Sequence, residues 1–303
     1  MTPISYWIIF HVALVVLLAV EYGMARRVHD THRKAVYATV LWVAASLVLA
    51  ALLLPRFHAN GSVQYLAGYA IEESLSVDNL FVFLLLFRTF QIPEERQPRV
   101  LFWGVTGAII MRGAFIAAGV GLLEHFHWIS YVFGAVLLVG AIRLVLPGHD
   151  TGRPPSWINW VRRIHPVSLR QDTFFVRENG HRMMTVLMLA LIAVEVTDVV
   201  FAMDSIPAVL SITREPFLAY TSNIMAVMGL RSLYVLLAAM LARLQFLHFG
   251  LAAVLAFAAV KMLISAWVEI GPLISLGVIA LLLGVTVAAS LLARTQTEPT
   301  GVS

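Results

Sequence analysis

Six carboxylates interrupt two of the most apolar stretches of the sequence, three in each stretch. They are Glu72, Glu73 and Asp78 in the first stretch and Glu195, Asp198 and Asp204 in the second. A charged side chain at the centre of a bilayer costs about 2.5–3.5 kcal/mol on insertion scales. If these stretches cross a membrane, the carboxylates are expected to meet a cation or to be protonated.

Amide and hydroxyl oxygens accompany the carboxylates. Asn79 shares a helix face with Glu72, and Ser205 shares a face with Asp198 at the same spacing. Carboxylate, amide and hydroxyl oxygens are the ligands of hard divalent cations such as Mn²⁺, Ca²⁺ and Mg²⁺. The predicted metal ligands are Glu72, Asp78, Asn79, Glu195, Asp198, Asp204 and Ser205.

A proline follows the second acidic stretch. Pro207 cannot donate a hydrogen bond to the carbonyl of Met203. Irregular backbone at membrane depth is tolerated where it is buried in protein or lines a wet cavity. The sequence therefore predicts a locally opened helix beside Asp204, in which Asp198, Asp204 and a backbone carbonyl converge.

Three basic residues also lie within apolar regions: Arg112, Arg231 and Lys261. The two arginines are expected to be counter-charges that orient carboxylates, with Glu73 and Glu195 as candidate salt-bridge partners. Lys261 lies near the end of its region, where it is either a further counter-charge or a side chain that snorkels to the interface. Carboxylates that do not bind metal would carry protons, and Glu73 is assigned to proton coupling or to the counter-charges.

The composition is typical of a membrane protein. Mean hydropathy is +0.86, and 60% of the residues are hydrophobic against 13% charged. Soluble domains are nearer 45–50% apolar and about 25% charged. The chain has no cysteine, which excludes disulfides, zinc–thiolate sites and iron–sulfur clusters. We predict an all-α polytopic membrane protein, with the lipid bilayer around it and no nucleic-acid partner.

Nine apolar segments have the length of about 20 residues that a bilayer requires. They cover residues 6–24, 36–54, 65–87, 100–122, 128–146, 184–212, 217–241, 246–268 and 272–293. The loops on one side of the membrane hold nearly all of the basic residues outside these spans. The loops on the other side hold only Arg56 and Arg214. Because basic loops remain in the cytoplasm, the N-terminus is predicted to lie outside and the C-terminus inside.

Spans 3–5 and spans 6–8 share a pattern of charged residues. The spacing from Glu72 to Asp78 equals that from Asp198 to Asp204, and basic residues of the later spans align too. Two units of three spans enter the membrane from opposite sides, which predicts a 3+3 inverted-topology repeat. In such folds the substrate site lies between the two units, near the membrane midplane.

The predicted organisation has five parts. They are residues 1–64 with the first two helices, 65–146 with the first three-helix unit, 147–182 as a cytoplasmic loop, 183–268 with the inverted unit, and 269–303 with the last helix and a disordered tail. In the loop, Trp157 and Trp160 belong to an apolar pattern of helical spacing that also encloses Arg162 and Arg163. This pattern predicts either a short helix on the inner leaflet or an ordinary loop with interfacial tryptophans.

The two acidic motifs resemble those of the TerC/Alx family of bacterial integral membrane proteins. The motifs are EESLSVDN, from Glu72 to Asn79, and EVTDVVFAMDSIPA, from Glu195 to Ala208. The resemblance covers nearly the whole chain and implies export of Mn²⁺ from the cytoplasm across the bacterial inner membrane. It also implies that the family's membrane carboxylates fall on Glu72, Asp78, Asp198 and Asp204, with Glu195 alongside. The identity of the metal and the direction of transport rest on this resemblance.

Three functions are weighed on this basis. The first is a Mn²⁺ exporter, passive or linked to protons, which has no resident cofactor and for which Ca²⁺ is a further candidate substrate. The second is a membrane scaffold in a metal- or tellurite-stress complex, whose acidic residues only brace the helices. The third, an intramembrane aspartyl hydrolase with Asp78 and Asp204 as its dyad, ranks last, so no enzymatic activity is expected. The sequence predicts no oligomeric state.

Overall fold

The computed structural model describes residues 2–28, 30–118, 128–145, 167–178, 180–213, 215–241, 246–265, 267–268 and 270–296. Within these ranges the chain forms eight helices and one small sheet. The helices are α1 (Ile4–Arg27), α2 (Thr31–Thr89), α3 (Gln97–Ala118), α4 (Trp128–Val145), α5 (Val186–Ile212), α6 (Pro216–Leu241), α7 (Leu247–Ile264) and α8 (Pro272–Gln296). The strands are β1 (Val167–Ser168), β2 (Phe175–Glu178) and β3 (His181–Thr185).

Six of the described helices are long and apolar enough to cross a bilayer, judged by length and composition. They are α1, α2, α3, α5, α6 and α8. Helices α4 and α7 hold shorter apolar stretches, Tyr131–Ile142 and Phe249–Ile264. The predicted class of helical polytopic membrane protein is confirmed, whereas the number of nine crossings stays a prediction.

Helix α2 covers two predicted spans, and the chain reverses within it at His58. This residue has φ 58° and ψ −177°, which are non-helical values inside an otherwise helical segment of 59 residues. Ser62 Oγ donates to the carbonyl of Ala50 at 2.9 Å, and the hydroxyls of Tyr65 and Ser46 are also 2.9 Å apart. Residues twelve positions apart on one straight helix would be separated by about 18 Å. The two halves of α2 therefore lie side by side, and residues 55–64, expected to connect two spans, are helical apart from this break.

The helices that carry the charged residues pack against one another through small side chains. At Gly107 of α3, a Cβ would overlap the carboxylate of Glu195 on α5. At Gly113, a Cβ would lie 3.2 Å from the ring of Tyr220 on α6. Because glycine leaves this space open, α3 approaches both α5 and α6 closely enough for long polar side chains to meet between the helices.

The contacts between the two predicted three-helix units include two that an inverted repeat would relate to each other and two between counterpart helices. Helix α2 packs on α6, as α3 packs on α5. Helix α4 packs on α7, and α2 packs on α5. The inverted repeat requires contacts of this kind, but the repeat itself stays a prediction.

Helix α5 is continuous through Pro207, from Val186 to Ile212. The predicted opening of the helix beside Asp204 is therefore wrong. Membrane helices tolerate a proline where neighbouring groups satisfy the freed backbone, so a proline alone does not determine an unwound segment. Thr185 caps the helix, and its Oγ1 accepts a hydrogen bond from the N–H of Met188 at 3.4 Å.

A small sheet occupies part of the predicted cytoplasmic loop, where the sequence analysis predicts no strands. Its order is β1-β3-β2, with β1 parallel and β2 antiparallel to β3. Gly180, between β2 and β3, has φ +80°. An Asn-Gly pair is a strong hairpin signal, so Asn179-Gly180 could have revealed this turn. The tryptophan pattern around Trp157 lies outside the described residues.

Candidate metal-binding cavity and its charged surroundings

A buried arginine joins four helices. Arg112 of α3 is 0% exposed. Its Nη2 and Nε donate to the two carboxylate oxygens of Asp198 on α5, at 2.6 and 3.1 Å. Its Nη1 donates to Oε1 of Glu72 on α2 and, at 2.9 Å, to Oδ1 of Asn223 on α6. Asn223 Nδ2 in turn donates to Glu72 Oε2 at 2.9 Å.

These four residues, Glu72, Arg112, Asp198 and Asn223, form a closed cluster that we call the Arg112 cluster. Every oxygen of its two carboxylates accepts a hydrogen bond. Charge-assisted bonds from a planar guanidinium are among the strongest in proteins. A metal ion that used Glu72 or Asp198 as ligand would have to displace a group that never loses its charge.

A small cavity lies next to the Arg112 cluster, between α2, α5 and α7. Polar and apolar side chains from the three helices line it: Glu72, Leu75, Asp78, Asn79, Phe201, Ser205, Ala258, Lys261 and Met262. The cavity has a volume of about 10 Å³. That is room for about one water molecule, or for one ion that has shed its hydration shell. Glu72 belongs to both regions and links the cavity to the cluster.

Two oxygen atoms near this cavity are candidates for binding a ligand. Asn79 Oδ1 and Ser205 Oγ are buried and have no hydrogen-bond partner among the described residues. A buried polar group without a partner costs about 1–3 kcal/mol. Both residues line the cavity that Asp78 also lines. A cation at this position would satisfy both oxygens.

Lys261 of α7 supplies the positive charge of the cavity. Its Nζ lies 3.4 Å from Oδ2 of Asp78. The side chains of Lys261 and Asp78 are 13% and 4% exposed. The contact is longer than those of Arg112, and it joins one nitrogen to one oxygen. It shows that Lys261 is a counter-charge to Asp78.

The remaining predicted ligands are only partly placed. The backbone of Asp204 lies in α5, but its side chain is outside the described residues. Glu195 is half-buried against Gly107, on the α3 side of α5. Among the described residues, no group of three or more His, Cys, Asp or Glu side chains is arranged to hold a metal. The described lining of the cavity therefore has two carboxylates, Glu72 and Asp78, with an amide and a hydroxyl. Both oxygens of Glu72 already accept hydrogen bonds within the Arg112 cluster.

The predicted pairings of the two arginines are wrong. Arg112 pairs with Glu72 and Asp198, and not with Glu73, because the close approach of α3 to α5 places its guanidinium at Asp198. Arg231 pairs with Glu21 of α1, and not with Glu195.

Glu73 stays outside these pairs. Its Oε2 is buried without a hydrogen-bond partner among the described residues. It therefore remains a candidate for proton coupling, which is one of the two roles predicted for it from the sequence.

Two residues of these charged networks are not among the predicted site residues. Asn223 is buried in α6, and Glu21 accepts a hydrogen bond from Trp42 Nε1 at 3.0 Å besides its contact with Arg231. A polar side chain inside an apolar span tends to seek a partner on another helix. Asn223 could have been singled out by that criterion, and Glu21 could have been considered as a partner of Arg231.

The fold and this site define a polytopic helical membrane protein with buried ion pairs beside a small polar cavity. A family model described as integral membrane protein TerC family matches residues 57–298. The chain belongs to the TerC family of integral membrane proteins, which confirms the resemblance of the two acidic motifs. No solved structure matches the chain.

Related chains match over nearly their whole length. An uncharacterized membrane protein of Myxococcus xanthus, STKORF319, is 40% identical over 300 residues, which cover 97% of this chain and 94% of the relative. A protein of Escherichia coli K12 is 40% identical over 294 residues, 92% of this chain and 91% of the relative. A protein of Salmonella typhi is 39% identical over 302 residues, 94% of this chain and 93% of the relative. The last two carry the name Alx and a proposed role as membrane-bound redox modulators.

Proposed function

We propose that this protein transports a hard divalent cation, Mn²⁺, out of the cytoplasm through the cavity between α2, α5 and α7. One observation carries the proposal. The carboxylate of Asp78 lines a buried, ion-sized cavity together with the unsatisfied oxygens of Asn79 and Ser205. Oxygen donors of these types are those that Mn²⁺, Ca²⁺ and Mg²⁺ prefer.

The Arg112 cluster supports the cavity without binding the ion. Glu72 accepts a hydrogen bond from Arg112 and also lines the cavity. With both carboxylates ionised, the cluster carries one net negative charge, which favours a cation in the adjoining space. Glu72 and Asp198 thus act on the ion through their charge and through the positions of α2 and α5.

Protons are the natural partner of this transport. Glu73 and Glu195 are membrane carboxylates outside the Arg112 cluster, and carboxylates of this kind serve as proton relays in transporters. In the inverted repeat, exchange of the conformations of the two units would open the cavity to either side. The bias of basic residues supports an N-terminus outside and a C-terminus in the cytoplasm.

A scaffold in a stress complex is the second candidate function, and one observation favours it. All four carboxylate oxygens of the Arg112 cluster accept hydrogen bonds within the cluster, as they would in residues that only brace a helix bundle. The name of the Alx relatives proposes redox modulation for them, and this chain has no cysteine with which thiol-based redox chemistry could occur.

The test is Mn²⁺ movement into reconstituted vesicles that contain a fluorescent metal reporter. Asp78→Asn preserves the size of the side chain and removes the charge that faces the cavity. We expect it to lower the Mn²⁺ flux by at least about tenfold, since even residues that support metal ligands cost 10–100-fold when changed. Asp172→Asn is the matched control, because Asp172 is an exposed aspartate outside the cavity.

Two results would count against transport through this cavity. One is equal flux from Asp78→Asn and the intact protein, which would move the path elsewhere. The other is absence of flux from both proteins under every pH gradient applied, with correctly folded protein in the vesicles. That second result would favour the scaffold.

A further inference from the structure

The two basic side chains near the cavity, the buried Arg112 and the partly buried Lys261, are held in different ways. Arg112 donates to three side chains on three other helices. Among the described residues, Asp78 is the one acceptor for Lys261, at 3.4 Å. Lys261 also has a flexible four-carbon stem and a compact charge, whereas the guanidinium of Arg112 is rigid and planar. Lys261 can therefore leave its partner with the loss of a single contact.

Lys261 lies where a transported cation would lie. Its ammonium group lines the same ion-sized cavity as Asp78, Asn79 and Ser205. An ammonium and a divalent cation cannot both contact Asp78 in a space that holds about one water molecule. The two positive charges would repel each other at that distance as well.

We propose that the Lys261 ammonium is a tethered substitute for the transported ion, which occupies Asp78 when the cavity is empty and swings aside when a divalent cation enters. The inference rests on the proposed function, since it assigns a role within the same cavity. The ammonium keeps its charge throughout and changes only its position. Its side chain is 13% exposed, so it is not completely enclosed by the helices.

Two properties follow for transport. When no ion is bound, the Lys261 ammonium compensates the charge of Asp78. The ion-free protein can then change back to its starting conformation without an uncompensated charge in the membrane. A monovalent cation gains no more from Asp78 than the tethered ammonium does, whereas a divalent cation has the larger attraction. Lys261 therefore favours divalent over monovalent ions at this cavity.

Equilibrium Mn²⁺ binding to the purified full-length protein tests this inference, with the free ion measured by its electron paramagnetic resonance signal. Lys261→Met removes the competing charge at similar length, and we expect the Mn²⁺ affinity to rise by about tenfold, the scale of one lost ionic contact. Lys261→Arg places a planar guanidinium, which can donate two hydrogen bonds to a carboxylate, at Asp78. We expect this variant to have a lower affinity for Mn²⁺. In vesicles, Lys261→Met should slow net efflux more than it slows Mn²⁺–Mn²⁺ exchange, because only net efflux requires the empty protein to return.

The possible outcomes separate this inference from the proposed function. If Asp78→Asn weakens binding while both Lys261 variants match the intact protein, the tethered-cation role is refuted and the metal site stands. If Lys261→Met weakens binding, Lys261 supports the site and does not compete with the ion. If the intact protein binds no Mn²⁺, both proposals fail together. If Lys261→Met does not fold, Lys261→Arg decides alone, and an affinity equal to that of the intact protein refutes the inference.

Discussion

The Arg112 cluster and the cavity at Asp78 are adjacent, contain the same kinds of side chain and differ in how completely their polar atoms are satisfied. In the cluster, all oxygens of Glu72 and Asp198 accept hydrogen bonds. In the cavity, oxygens of Asn79 and Ser205 have no partner among the described residues. A network whose oxygens all have partners holds helices in place. Oxygens without hydrogen-bond partners are available to bind an ion that can exchange.

The difference arises from the helices that contribute to each region. Arg112 lies on α3, which approaches α5 closely at Gly107, so its guanidinium is surrounded by acceptors from three helices. Lys261 lies on α7 and reaches Asp78 from one side only. Arg112 and Asp78 are both buried, so the two regions differ in the number of hydrogen-bond partners and not in burial.

The largest effect that would test this comparison is expected for Arg112→Met. The change leaves two buried carboxylates without their counter-charge, which typically costs 3–5 kcal/mol. We expect a loss of about 3–5 kcal/mol in the free energy of unfolding, seen as a lower unfolding temperature in detergent. Lys261→Met, measured in the same way, should lose far less stability, because its contact is single and partly exposed.

A triple variant provides the control for this prediction. Glu72→Gln and Asp198→Asn, combined with Arg112→Met, remove all three charges and keep the side chains similar in size. Buried ion pairs are often replaced by neutral groups at little net cost. The triple variant should therefore recover much of the lost stability. If Arg112→Met alone were as stable as the intact protein, the description of the cluster as a brace would be wrong.

The second prediction concerns Asn223, which closes the network between Arg112 and Glu72. Asn223→Ala removes one acceptor and one donor from a fully buried site. Because Glu72 Oε2 loses its partner there, we expect a loss of about 1–3 kcal/mol in the free energy of unfolding. Mn²⁺ binding by the protein that remains folded should change less than in Asp78→Asn. Equal loss of binding in both variants would mean that cluster and cavity form one site.

Sequence reasoning reached the class of fold and the acidic motifs because both depend on local patterns. Long apolar segments predict membrane helices, and carboxylates within them predict a polar interior. A reversal between residues 54 and 65 was predicted, but its position at His58 was not, because the positive φ falls on a histidine and not on the nearby Gly61.

The partners of the buried charges were harder to predict than their existence. Glu72 and Glu73 are adjacent in sequence, and only the rotation of α2 against α3 decides which one meets Arg112. Glu21 lies in α1, outside the predicted repeat, and it nevertheless pairs with Arg231. Such pairings depend on packing between distant segments, which a single sequence without related sequences does not specify.

The smallest effect is expected at an exposed ion pair, Arg96 with Asp172. Comparing it with the contacts of Arg112 and Lys261 measures how much burial adds to the energy of an ion pair. Arg96 Nη2 lies 2.8 Å from Oδ1 of Asp172, where α3 meets the segment between β1 and β2. The two side chains are 40% and 72% exposed, and exposed pairs contribute about 0–1 kcal/mol. Arg96→Ala should therefore change the free energy of unfolding by less than about 1 kcal/mol, and salt should reduce even that difference. A double-mutant cycle with Asp172→Asn isolates the pair from the separate hydrogen bond of Arg99 to the Asp172 carbonyl. A coupling as large as the loss in Arg112→Met would show that burial and satisfied partners do not decide which charges brace this fold.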